Sequence, residues 1–288
     1  MKIALISDIH GNVAALEAVT DHVTTWQPDI TIVNGDVVNR GPNSAPCWEF
    51  VQQRQREDGW LLTRGNHEDF VLAYREPASE NDPHTFGIHR HAWWTRHQLT
   101  NAQLDDMVAL PDLLTLAAPD SSEVRITHAS MGNNRNGILL ETPAETVRAQ
   151  IGEPPPLFLT SHIHWPMVRQ LEQTLIVRSG SVGSPRDGDV RASYAQLSWH
   201  ISNGDNGRWH PEIIRVPYDR SRTDQDYHTL GYLADGGPIA ELIYHEWRTA
   251  LPVLAPWQRQ YQAAVMAGEV GVETAVSDYL AATGFRDK

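Results

Sequence analysis

The chain has 288 residues, 41% of them hydrophobic and 20% charged. This suits a soluble globular protein with one large core or two modest ones, and excludes a disordered or fibrous chain. Net charge is -13, with no Lys/Arg cluster, which argues against a general nucleic-acid or acidic-membrane surface; no run is apolar and long enough to span a bilayer. The lone cysteine, Cys47, rules out an internal disulfide framework. The chain opens directly on a strand, without a basic segment followed by an apolar one, so a cytoplasmic location is expected.

The first half reads as βαβ units. Lys2–Ser7 is the first strand. Val13–Thr25 follows as a helix, with Ala14, Leu16, Val19 and Val23 apolar at mixed three- and four-residue spacing, and Pro28 closes the unit. Asp29–Asn34 is the second strand, a helix is expected near Ala45–Arg56, and Trp60–Thr63 is the third strand. Helical stretches are expected from about Phe70 to Leu110, where Thr100 and Gln103 form a capping-box pattern ahead of Leu104, Met107 and Val108. Inside them, His84–His97 carries four histidines with Trp93 and Trp94, read as a helix burying its aromatics in preference to a substrate pocket. Val124–Thr127 and Leu157–Thr160 are further strands. Between them, Thr142-Pro143-Ala144-Glu145 starts a helix with Pro at its first position. After His164 the pattern changes. Met167–Glu172 and Thr174–Arg178 read as a hairpin around Gln173. Ser193–Ser198 and Trp209–Val216 read as antiparallel strands joined by a Gly/Asn-rich turn at Asn203–Gly207. A second sheet packed on the first is expected. Pro238–Thr283 is helical, with breaks at Pro252, Pro256 and Gly268, and its Tyr244, Trp247, Trp257 and Tyr261 are read as helix packing.

Five short motifs fall where apolar, strand-like runs end: Asp8-Ile9-His10, Gly35-Asp36, Gly65-Asn66-His67-Glu68, His128 and His162-Ile163-His164. Loops at strand ends of an open α/β sheet are where ligands gather. Together the motifs supply two Asp, one Asn and five His, a donor set for a pair of borderline divalent metals. Any one motif is explained as well by turn residues or core histidines; five in this order at strand ends are not. Arg40 follows Asp36 by four residues, so its loop can return a guanidinium fork to phosphate oxygens, the alternative being a surface ion pair. Arg64 is a second substrate-binding candidate. Arg186 and Asp187, in a Gly/Pro-rich turn, are read as structural.

These motifs resemble the signature of the calcineurin-like metallophosphoesterases: D-x-H, G-D, G-N-H-[DE], H and G-H-x-H. The resemblance covers roughly Met1 to Trp199 and matches every metal-binding position. It departs at Ser161, where the family usually has a Gly that permits a tight strand-end turn. Ile6-Ser7-Asp8-Ile9-His10-Gly11-Asn12 and Gly180-Ser181-Val182-Gly183-Ser184-Pro185-Arg186-Asp187-Gly188 are similar to its bacterial phosphodiesterase-like branch. Asn39-Arg40-Gly41-Pro42 resembles the Asp-Arg-Gly of Ser/Thr protein phosphatases and dinucleoside tetraphosphate hydrolases.

The resemblance implies an α/β fold: a four-layer αββα sandwich of two mixed β-sheets flanked by helices, with a C-terminal helical extension. The metallophosphoesterase domain is expected over residues 1–218 and the extension over 219–288. Two divalent transition metals, drawn from Mn, Fe, Ni and Zn, are implied. Asp8, His10, Asp36 and His164 would hold one; Asp36, Asn66, His128 and His162 would hold the other, with Asp36 bridging. The implied activity is phosphoester hydrolysis, as a phosphodiesterase or phosphatase, by in-line attack of a hydroxide bridging the metals. Arg40 would neutralise phosphoryl oxygens. His67, beside a ligand but not one itself, would protonate the leaving alkoxide, with Glu68 orienting its ring; the alternative for His67 is hydrogen-bonded support of a ligand. The expected partner is a small phosphoester, nucleotides included, with no long nucleic acid and no membrane. A protein phosphatase or dinucleoside polyphosphate hydrolase stays open, weakened by Asn39 where protein phosphatases have Asp. A non-catalytic scaffold of the same fold is disfavoured by the complete ligand set.

Overall fold

The computed structural model describes residues 1–75, 87–201 and 207–285. Its strands are β1 (Lys2–Ile6), β2 (Ile30–Asn34), β3 (Leu61–Thr63), β4 (Leu113–Ala117), β5 (Glu123–Thr127), β6 (Leu157–Thr160), β7 (Pro166–Leu171), β8 (Thr174–Ser179), β9 (Ala192–His200) and β10 (Arg208–Val216). They form two five-stranded sheets, ordered β10-β9-β1-β2-β3 and β4-β5-β6-β8-β7. In the first, β1, β2 and β3 run parallel and β9 and β10 antiparallel. In the second, β5, β6 and β8 run parallel, and β4 and β7 are antiparallel edges.

The period-two alternation of strands fixes the layering, because successive side chains face opposite ways. Ile3, Leu5 and Ile32 of the first sheet pack with Val124, Ile126, Leu157, Leu159 and Val177 of the second, so the sheets lie face to face. The intervening Ala4, Ile6 and Val33 point outward to Leu16, Val19, Trp48 and Val51. These last belong to α1 (Val13–Trp26) and α2 (Ser44–Asp58). Phe158 and Ile176 point outward from the second sheet to Val147 and Ile151. The result is the expected four-layer sandwich. Buried on both faces, the central strands read as near-continuous apolar runs.

The segment from Asn66 to Val108 holds α3 (Asn66–Leu72), α4 (Arg90–Gln98) and α5 (Asn101–Val108). Thr100 and Gln103 do close a capping box on α5. His84 lies outside the described residues, as does the Asn203–Asn206 part of the expected turn. Helix α6 (Ala144–Ile151) takes Pro143 as its N-cap, so it starts one residue later than the expected first helical position at Pro143. Edge strand β4 was not anticipated: its side chains are only partly buried, so its apolar signal is weak.

After residue 219 the chain is helical: α7 (Arg220–Thr229), α8 (Tyr232–Asp235), α9 (Pro238–Thr249), α10 (Leu254–Trp257), a π-turn at Gln258–Gln262, α11 (Ala263–Met266) and α12 (Val272–Thr283). Their apolar faces share one cluster containing Tyr232, Ile243, Trp247, Trp257 and Leu280, and Ile88 joins it from ahead of α4. Tyr244 and Tyr261 pack there too, and Trp94 of α4 meets Tyr232 at 5.1 Å. Among the described residues no helix is long and apolar enough to cross a membrane.

Candidate metal centre

Five loops converge at the C-terminal ends of β1, β2, β3, β5 and β6, the crevice where open α/β sheets bind ligands. Their backbone is unusual. Seven of the eleven non-glycine residues with positive φ among the described residues are Asp8, His10, Asp36, Asn39, Arg40, His162 and His164. Asp, Asn and His tolerate this region better than most residues, but it still carries strain and persists only where surroundings enforce it. The enforcement is visible. Asp8 N–H donates to the Gly35 carbonyl at 3.1 Å and His10 N–H to the Asp36 carbonyl at 3.0 Å. The buried Glu68 carboxylate accepts N–H bonds from Asp36 at 2.9 Å, Val37 at 2.8 Å and Gly65 at 2.8 Å. Glu68 therefore ties the β2 and β3 loops together and does not orient His67. At Gly183 a Cβ would overlap the Ile9 carbonyl oxygen, so only glycine lets that loop lie against the Asp8–His10 turn. Ser161 needs no such freedom: its hydroxyl accepts from Asn34 Nδ2 at 2.7 Å, joining the β2 and β6 ends.

The expected ligands come together in two overlapping groups, Asp8, His10, Asp36 and His164, and Asp36, His128 and His162, with ligating atoms in each within 4.8 Å of one another. Asn66 Oδ1 joins the second, 3.1 Å from His128 Nε2 and 2.8 Å from His162 Nδ1. His128 Nδ1 donates to the Asn34 carbonyl at 2.8 Å and His164 Nδ1 to the Ser184 carbonyl at 2.5 Å. Each ring thus turns its Nε2 into the cluster, the nitrogen left for a metal when the other is anchored to a backbone carbonyl. His10 Nε2 lies 3.1 Å from His164 Nε2. Asp8 Oδ1 and Asp36 Oδ2 are buried without a hydrogen-bond donor, yet lie 3.2 Å from His164 Nε2 and 3.3 Å from His128 Nε2. At Asp8 and His164 this sets an acceptor against an acceptor in a buried site, which is costly unless a cation satisfies both. The donor set therefore fits divalent ions.

The electrostatics agree in kind. Burial, then His164, pushes His10 down to about 3. Burial, then His128, pushes His162 down to about 4. Burial, then Arg186 and Arg40, holds His164 well below the usual histidine range. These rings are neutral, the form that ligates metals. His128 is the exception: burial disfavours its charge, but Asp36 outweighs burial and lifts it to about 10, so without an ion its Nε2 keeps a proton toward Asp36 that metal binding must displace. Asp36, which burial alone would raise, is held well below the carboxylate range by His128 and His67.

His67 sits beside this cluster, its ring 4.8 Å from that of His10. Its Nδ1 faces Asn39 Nδ2 at 2.9 Å. Asn39 Oδ1 accepts from Arg40 N–H at 2.8 Å, which sets the amide's orientation. His67 Nδ1 is thus an acceptor and the ring proton lies on Nε2. A cavity of about 150 Å³ opens against His67, Asn66 and Arg40, walled by Phe70, Ile88, Ile239 and Leu254. His89 and His91 also line it, so the histidine-rich segment contributes to a pocket as well as to packing.

Arg40 Nη1 pairs with Glu246 Oε1 at 2.9 Å, and Arg186 Nε reaches the same oxygen at 2.7 Å. Neither partner was anticipated. Glu246 reads as one residue of a tail helix and Arg186 as part of a turn, and nothing local marks them as neighbours of Arg40. Arg64 is engaged by Asp69 at 3.1 Å and Asp112 at 2.9 Å. Asp187 pairs with Arg215.

A family model described as calcineurin-like phosphoesterase matches residues 1–174. An uncharacterized protein of Methanocaldococcus jannaschii is 28% identical over 232 residues, spanning 75% of this chain and 88% of that one. A metallophosphoesterase structure from Sphaerobacter thermophilus superposes with a TM-score of 0.63 at 23% identity, covering 82% of this chain and 99% of the other. A hypothetical protein from Pyrococcus horikoshii gives 0.68 at 18% identity, covering 83% and 97%. At these identities the two structures bear on the fold alone.

Proposed function

The chain belongs to the calcineurin-like phosphoesterase family, and from that premise we propose that it is a phosphoester hydrolase working on a small substrate with two divalent metals. Phosphoester hydrolysis and the use of divalent metals come with the family; the number of ions, the ligands and the residue roles are our reading. Asp8, His10, Asp36 and His164 would hold one ion, and Asp36, Asn66, His128 and His162 the other. When bound, such ions supply the positive charge that polarises a phosphoryl group and the acidity that makes hydroxide available near neutral pH. The observation that carries the reading is the pair of buried, donor-free oxygens, Asp8 Oδ1 and Asp36 Oδ2, among inward-facing imidazole nitrogens.

The remaining roles belong to this chain's own groups. Arg40, at the rim of the cavity, offers its guanidinium to phosphoryl oxygens. His67 presents Nε2–H to the leaving oxygen, with Asn39 fixing the ring. The apolar wall of Phe70, Ile88, Ile239 and Leu254 receives the leaving group and keeps water from it. A volume of about 150 Å³ takes a group of roughly one ring next to the leaving oxygen. Arg64, already engaged by two carboxylates, is left out of substrate binding.

The test is metal analysis of protein reconstituted with Mn, Fe, Ni or Zn, paired with hydrolysis of aryl phosphates by the same samples. Close to two ions per chain with metal-dependent turnover is expected. Folded protein that takes up no metal and hydrolyses none of the esters would overturn the reading.

A further inference from the structure

We infer that the C-terminal helices complete the site, with Glu246 holding Arg40 and Arg186 as a paired guanidinium clamp that selects phosphomonoester dianions over diesters. The inference rests on the hydrolase reading above.

Glu246 lies on α9 with its side chain 2% exposed. Its Oε2 accepts the backbone N–H groups of Val253 at 2.9 Å and Leu254 at 3.1 Å. Its Oε1 faces both guanidiniums. The carboxylate is thus fixed from behind by backbone, and each arginine is held from the side away from its own loop. Two cations share one directly paired anion, at arginine side chains only 14% and 18% exposed; Asp8 and Asp36 act on Arg186 only at longer range and face the histidines, where bound metals would neutralise them. Among the described residues, neither guanidinium has another acidic partner, and Arg40 Nε is buried without an acceptor. A surplus buried charge with open donors is unfavourable until an anion occupies it.

Both arginines lie beside the candidate metal ligands. Arg40 lines the cavity with Asn66 and His67. Arg186 follows by two residues the Ser184 carbonyl that anchors His164, and its charge acts on both His162 and His164. A monoester dianion has three non-bridging oxygens and a second negative charge. A diester has two such oxygens, and its third position is a neutral alkoxy group. That group is a poor acceptor for a guanidinium fork and needs room for a substituent. With the leaving group in that cavity, a second substituent on the Arg40 side of the phosphorus would meet Arg40, Arg186 and Glu246. Losing one charge-assisted contact corresponds to roughly 10- to 150-fold in affinity.

The experiment uses the full chain and two esters with the same leaving group, p-nitrophenyl phosphate and methyl p-nitrophenyl phosphate, so that effects at His67 cancel. Wild-type protein is expected to favour the monoester in kcat/KM. Arg186→Ala should cut monoester kcat/KM by about tenfold or more, mainly through KM, and change the diester little, with metal content intact. Glu246→Gln, which keeps the shape but not the charge, should shift the ratio the same way; Arg186→Lys serves if either variant fails to fold. Independently, calorimetry of inorganic phosphate on metal-free protein should show binding weakened about tenfold by Arg186→Ala. A wild-type preference for the diester, or an unchanged ester ratio and phosphate affinity in Arg186→Ala, would overturn the clamp. If neither ester is hydrolysed with any metal, the hydrolase reading fails, and phosphate affinity alone decides whether the arginines form an anion site.

Discussion

Replacing Glu246 by Gln should destabilise the protein by an amount that depends on pH. Burial alone would raise the Glu246 pKa, but Arg186 and then Arg40, with the Val253 and Leu254 N–H groups, bring it down from 4.5 to about 2. The neighbouring hydroxyls of Tyr227 and Tyr232 stay neutral, since burial pushes both phenols up. The fall from 4.5 to about 2 corresponds to roughly 3 kcal/mol of stability in the ionised form. Its sign follows from the folded value lying below the unfolded one. The contribution is complete above pH 4.5 and is lost as pH falls toward 2. Glu246→Gln should therefore be about 3 kcal/mol less stable than wild type at pH 7, or roughly 6–12 °C in Tm for a chain of this size. The gap should hold to about pH 5 and narrow steadily below 4.5. Urea titrations of both metal-free proteins at several pH values measure it, and the comparison cancels other carboxylates that titrate in the same window. A gap constant down to pH 3, or one below about 1 kcal/mol at pH 7, would refute a tightly coupled Arg–Glu–Arg group.

Asp36→Asn should lower metal occupancy at both positions and nearly abolish turnover, read by elemental analysis after reconstitution with Mn or Ni, because Asp36 belongs to both ligand groups. His67→Gln should keep the metals and cost an alkyl ester about tenfold in turnover, and a nitrophenyl ester less, since the phenolate leaves with little help; equal losses on both would reassign His67 to phosphoryl binding. Gly183→Ala should cost about 1–3 kcal/mol in unfolding free energy and also weaken metal uptake, because the added Cβ meets the Ile9 carbonyl between Asp8 and His10; a variant with wild-type stability and metal affinity would show that the loop yields freely. Cys47, whose thiol burial pushes up and which is fully enclosed, should resist alkylation in the folded protein and react on unfolding.

The sheets and the ligand loops were legible because their signals are local. An apolar run of four or five residues followed by Asp, His or Asn marks a strand end, and the order of the motifs marks convergence. What could not be read depends on partners distant in the chain. Glu68 accepts backbone N–H groups from a loop about thirty residues away, and no periodicity encodes that; in sequence its visible neighbour is His67. Strand β4 alternates exposed and half-buried side chains, too weak a pattern to separate from a loop. Glu246 and Arg40 are separated by 206 residues. In sequence, one is a charged residue in an amphipathic helix and the other a charged residue in a turn.

Asn39 joins the legible and the illegible parts. Its place in Asn39-Arg40-Gly41 was visible as a departure from the Asp of protein phosphatases, but its effect is decided by geometry. Because Oδ1 takes the Arg40 N–H, Nδ2 must face His67 Nδ1. An Asp there would instead accept a proton from that nitrogen and favour a charged ring. With Asn, a charged His67 would set an N–H against an N–H, so the neutral ring with Nε2–H is the compatible form. Such a ring stabilises a departing oxygen by hydrogen bonding and is a weak source of protons. The rest of the stabilisation must then come from charge placed around the phosphoryl group, which is what the arginines held by Glu246 would add to the metals. A site with a neutral His67 therefore has more need of the C-terminal helices than one whose histidine is kept charged by a carboxylate.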